Sequence, residues 1–131
     1  MSNVSKGPLF ALVVFVTLLG CASVLKSAGI LAEQIRATEV LMGGDIYLHL
    51  CGSFILGMLC RLTTQRKICF GLPPATLFVL VLVVLDESLQ SLIPSRQFSW
   101  LDMAVNVVGV LFGTYFCSVI AIAWSKNKAT H

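Results

Sequence analysis

Between residues 87 and 106 the sequence sets out side chains that handle charge and protons: Glu87, Gln90, Arg96, Asp102 and Asn106. Glu87 and Gln90 are three apart and share a helical face. Pro94 ends that helix and Arg96 follows in the turn. A guanidinium there pairs with a carboxylate, or offers its donors to a phosphate or carboxylate ligand. Asp45 and His49 are four apart at the start of an earlier apolar segment. A carboxylate at that spacing can hold an imidazole in one tautomer and raise its basicity. Such a set could perform general acid–base chemistry through Glu87, His49 or Asp102. Arg96 would stabilise developing charge and Asn106 would orient a substrate.

Each group also has a purely structural reading. Asp45 sits where a helix macrodipole favours an anion, with His49 as an interfacial residue. Arg96 and Glu87 would form a salt bridge closing their turn. Ser99 and Asp102 match a capping box, with Asp in place of the usual Glu. Asn106 is too deep in its helix for capping, so its amide needs a partner across a bundle. Asp86 falls on a different face from Glu87 and is expected in solvent or among headgroups.

The elements that must carry these residues are hydrophobic. The chain has 131 residues, 57% hydrophobic and 11% charged, against about 25% charged in a soluble domain. Lipid is therefore the expected solvent, and one domain over residues 1–131 the expected count. Four apolar segments follow: about Pro8 to Leu25, Ile46 to Leu62, Pro73 through Glu87 to about Ile93, and Trp100 to Trp124. Each approaches the roughly 20 residues of a spanning helix. The expected fold is all-α, a multipass membrane bundle of four transmembrane helices. Between the first two spans, residues 27–44 suit either a short interfacial helix or a solvated loop, ended by Gly43-Gly44.

Basic residues orient the bundle. Lys6, Arg61, Arg66, Lys67, Lys126 and Lys128 fall on one side; Lys26, Arg36 and Arg96 fall on the other. That asymmetry predicts cytoplasmic N and C termini. All six acidic residues then lie outside or at the outer ends of spans two, three and four, so distant stretches of chain converge at one membrane depth. Asp102, Asn106, Gly109 and Gly113 form one stripe, whose GxxxG admits another helix closely, within the chain or between copies.

Lys6 and the following apolar run have the outline of a signal peptide, and Leu18-Leu19-Gly20-Cys21 that of a lipoprotein box. The run continues to Leu25, so the segment is read as a retained span. Cys21, Cys51, Cys60, Cys69 and Cys117 form no CxxC and no metal spacing. They read as small buried hydrophobes, with no disulfide, metal or cofactor expected. The net charge of +3 is scattered, and no basic stripe indicates nucleic acid.

The run Glu87, Gln90, Pro94, Arg96, Ser99, Asp102, Asn106, Gly109 and Gly113 resembles the VanZ-like membrane proteins, whose pattern is Glu-x-x-Gln, Pro-x-Arg, Ser, Asp, Asn and two glycines at close to this spacing. Their second span usually opens Asp-Lys-x-x-His. Asp45 and His49 stand at those positions, with Ile46 for the lysine and Ser53 where an aromatic is frequent. The resemblance covers about residues 45–113. It implies a multipass bacterial cell (inner) membrane protein, similar to one linked to teicoplanin resistance, without naming a reaction.

Three functional classes follow. The first is a protein that binds or modulates a cell-envelope lipid or lipid-linked precursor at the outer leaflet, through Asp45, His49, Glu87, Gln90, Arg96, Asp102 and Asn106. The second is a small membrane hydrolase or transferase acting on a lipid-linked headgroup, with Glu87 or His49 as base. The third is a structural bundle locked together by these same residues.

Overall fold

The computed structural model describes residues 4–64, 71–94, 96 and 98–130. These form five helices: α1 (Lys6–Ser27), α2 (Ala32–Leu41), α3 (Asp45–Thr63), α4 (Pro74–Gln90) and α5 (Trp100–Ala129). The described residues contain no strand; an isolated bridge joins Val4 and Thr64. Arg66, Lys67 and Cys69 lie outside the described residues. Helices α1, α3 and α5 are long and apolar enough to cross a membrane, which supports a membrane protein. Helix α4 has 17 residues, about 26 Å at 1.5 Å per residue, close to the roughly 30 Å of hydrocarbon. The expectation of four spans thus meets three such helices and one slightly shorter one.

Local chemistry sets the boundaries. Pro74 takes the first turn of α4, where its missing N–H costs nothing. The helix stops at Gln90 rather than near Ile93. Ser91, Leu92 and Ile93 bond back three residues, to Ser88, Leu89 and Gln90. This tightening precedes Pro94, which disfavours helical backbone in the residue before it. The segment after α1 contains a true helix, α2, closed off at both joints. Gly29 (φ 74°) and Gly43 (φ 93°) take the left-handed conformation after α1 and α2. In each joint the glycine and the next residue donate backward, Gly29 to Lys26 and Ile30 to Leu25, Gly43 to Val40 and Gly44 to Glu39. That is a Schellman pair, which satisfies orphaned carbonyls and turns the chain sharply.

Helices α3 and α5 form the tightest pair. A Cβ on Gly113 would stand 2.1 Å from the Phe54 carbonyl oxygen, and one on Gly57 would stand 2.1 Å from that of Val110. The stripe of Gly109 and Gly113 is therefore filled by α3 of the same chain and is not free for a second copy. Polar bonds tie α4 to this pair. Thr114 donates to the Gly57 carbonyl at 3.1 Å, so Thr76 is the donor across the 3.0 Å contact with Thr114. Val79, Val110, Leu56, Cys60 and Leu12 surround this chain as the apolar core. Helix α1 packs mainly on α3, and most of its apolar side chains, among them Phe10, Leu18 and Val24, face outward. Such a surface suits acyl chains. Cys60 and Cys117 are buried as expected, whereas Cys21 and Cys51 are exposed.

Candidate functional site

The connectivity brings the end of α1, the start of α3, the end of α4 and the start of α5 to one end of the bundle. A cavity of about 350 Å³ opens there. Its polar wall holds Asp45 and His49 from α3, Gln90 from α4, Arg96 from the turn and Asn106 from α5. Its apolar wall includes Val16, Leu19, Leu48, Leu56, Val79 and Val83. Sequence position alone placed these polar residues at one depth; the packing gives them a shared space.

Glu87 is 2% exposed and Gln90 is 4% exposed. Gln90 Nε2 donates to Asp86 Oδ2 at 3.0 Å and to Glu87 Oε2 at 3.5 Å. The amide therefore spans two adjacent carboxylates. The ionisable groups around Glu87 include His49, Asp102, Asp86 and Arg96.

Two expectations need correction. Among the described residues no ion pair joins Arg96 to Glu87. Arg96 Nη1 instead donates to the Ser23 carbonyl, Ser23 Oγ and Ser27 Oγ, each at 3.2 Å. The guanidinium thus clips the C-terminal end of α1 to the turn after α4, because a neighbouring helix offers three acceptors. Asp86 is exposed, as expected, and it also lines the cavity and accepts from Ser23 Oγ at 3.1 Å. Asn106 has no hydrogen bond to another described side chain; its amide lines the cavity instead of meeting a partner across the bundle.

The capping reading of Asp102 holds in one direction, since its N–H donates to Ser99 Oγ at 3.2 Å. This leaves its carboxylate free to face α3. His49 Nε2 lies 3.2 Å from Asp45 Oδ1, and ligand atoms of Asp45, His49 and Asp102 all lie within 4.8 Å of one another.

Sequence reasoning missed Ser23, Lys26, Glu39 and Asp86. Lys26 pairs with Glu39, docking α2 at the cavity rim, where Ile35 and Glu39 join the lining. A signal for Ser23 existed: with Ser27 it makes an i, i+4 polar pair in an otherwise apolar span, a pattern that faces a bundle rather than lipid. No protein-family model, curated protein or solved structure matches this chain.

Proposed function

We propose that this chain is a VanZ-like multipass protein of the bacterial cell (inner) membrane, with four spans and cytoplasmic termini. It binds or modulates a cell-envelope lipid or lipid-linked precursor at the outer leaflet and thereby affects glycopeptide susceptibility. The observation that carries this reading is the cavity itself, charged at one end and apolar along its wall. An amphiphile has the same division. Its acyl portion would lie against Leu19, Leu56 and Val83, and its anionic headgroup would meet Arg96. Only Nη1 of that guanidinium is engaged among the described residues, so further donors remain for a phosphate. The VanZ-like assignment rests on the residues from Glu87 to Gly113, together with Asp45 and His49.

Native mass spectrometry of the protein released from its membrane tests the reading. The wild type should carry a bound lipid, and Arg96→Ala should lose it while Arg36→Ala keeps it. A wild type free of lipid, or equal retention in both variants, would overturn the proposal.

The enzyme reading draws on the proximity of His49 and Asp45, 3.2 Å apart beside the cavity. It requires Glu87→Gln or His49→Ala to abolish the phenotype at unchanged membrane abundance. A purely structural role requires abundance itself to fall.

A further inference from the structure

Asp45 and His49 occupy the first two turns of α3, and Asp102 the first turn of α5. The two helices are locked together immediately below, where a Cβ on Gly109 would lie 1.9 Å from Ser53 Oγ. The three side chains are thus held on rigid backbone, as a preformed ligand set must be.

The contact between Asp45 and His49 is unusual for a hydrogen bond. Asp45 Oδ1 and His49 Nε2 are 3.2 Å apart, yet Oδ1 is buried and accepts no hydrogen bond from the described residues. A carboxylate oxygen with no donor, beside an imidazole nitrogen, can be satisfied by a cation bound to both atoms. Ligands about 2.1 Å from a shared divalent ion stand about 3.0 Å apart at a right angle and about 3.4 Å apart at the tetrahedral angle. The observed distance falls between these values. The 4.8 Å limit on the whole set is close to the roughly 4.2 Å between opposite ligands of an octahedral ion. Small side-chain rotations close the remainder.

The charge balance points the same way. Asp45 and Asp102 bring two carboxylates to His49, and the buried Glu87 has His49 and Asp102 among its ionisable neighbours. Its one hydrogen bond among the described residues is long, at 3.5 Å. Of the nearby cations, Lys26 is paired with Glu39.

We propose that Asp45, His49 and Asp102 form a site for a divalent cation of the zinc or manganese class. One imidazole with two carboxylates is a mixed donor set that favours such borderline ions over magnesium or calcium, which take oxygen ligands throughout. This reading does not depend on the lipid proposal, because the ion would bind with or without an amphiphile in the cavity.

The test uses full-length protein purified without a histidine tag, stripped with chelator, and titrated with Zn²⁺, Mn²⁺ and Co²⁺. Binding should saturate at one ion per chain, with visible Co²⁺ absorption bands and a raised melting temperature. His49→Ala and Asp102→Asn should each weaken binding by at least about tenfold, since removing even an outer-sphere partner costs 10–100-fold. Asp86→Asn, a cavity carboxylate outside the set, should bind as wild type does. A wild type that binds none of the three ions at millimolar concentration overturns the proposal whether or not the variants fold. Unchanged affinity in His49→Ala or Asp102→Asn, or a comparable loss in Asp86→Asn, also overturns it.

Discussion

Gly57→Ala and Gly113→Ala should be the most damaging small-to-small changes in this protein. At both positions the added Cβ would stand 2.1 Å from a backbone oxygen of the facing helix, where ordinary contact begins at 3.4 Å, a deficit of 1.3 Å. The atoms met first are main-chain, so no side chain can rotate away and α3 must move from α5. Overpacking of this kind costs about 1–3 kcal/mol. Separation by even 1 Å also stretches the 3.1 Å bond from Thr114 to Gly57 beyond use, a further loss of about 1 kcal/mol. Against this, replacing glycine with alanine in a helix gains about 1 kcal/mol. The net expectation is a loss of about 2 kcal/mol for each. Gly20→Ala meets no atom within 4 Å and should be neutral or stabilising by up to about 1 kcal/mol. Gly109→Ala is intermediate, because its closest contact is the Ser53 hydroxyl at 1.9 Å; Ser53→Ala should partly rescue it and should not rescue Gly113→Ala. Thermal melts of detergent-solubilised protein, followed by fluorescence-detected gel filtration, would rank the series. Melting of Gly57→Ala and Gly113→Ala at or above the Gly20→Ala temperature would refute the close α3–α5 approach.

Other outcomes follow from single contacts. Thr114→Val should cost about 1–2 kcal/mol by stranding the buried Thr76 hydroxyl, and the double change with Thr76→Val should cost less than the two single changes added together, as read in a double-mutant melt. Arg96→Ala should free the outer end of α1, seen as faster hydrogen exchange at Ser23 to Ser27, and Arg96→Lys should restore protection only in part because an ammonium lacks the planar fork. Lys26→Glu should undock α2 and raise its proteolysis, and adding Glu39→Lys should reverse the effect; the pair is partly exposed, so the change in global stability stays at or below about 1 kcal/mol.

Elements whose signals are local were legible in the sequence. The span ended by Pro94, the Gly43-Gly44 punctuation, the Glu87–Gln90 face and the Ser99–Asp102 cap depend on neighbours within four residues, and local spacing alone places them. Arg96 shows what was not legible. Its nearest carboxylates in sequence suggested a salt bridge, but its actual acceptors on α1 are 73 and 69 residues away. The contact of Asp86 with Ser23 was hidden for the same reason. A helical face says which direction a side chain takes, and only the packing of α1 against that direction makes it cavity rather than headgroup. Gly57 escaped notice because the visible GxxxG lies on α5, while its partner surface on α3 has glycines at 52 and 57, a spacing that matches no familiar motif. Thr76 and Thr114 are ordinary residues in apolar runs until the helices place them 3.0 Å apart. The Asp45–His49 pair was legible, whereas the approach of Asp102 required the α3–α5 register.

The central claim is that the end of α1 and the end of α4 face one polar cavity on the extracytoplasmic side. It is tested most directly in intact spheroplasts carrying Ser23→Cys and Asp86→Cys in a background where Cys21, Cys51, Cys60, Cys69 and Cys117 are alanine. The two native side chains meet at 3.1 Å, so a short, membrane-impermeant bifunctional thiol reagent added outside should link the engineered pair rapidly. Linkage only after the membrane is made permeable, or none while each single thiol still reacts, would contradict the claim.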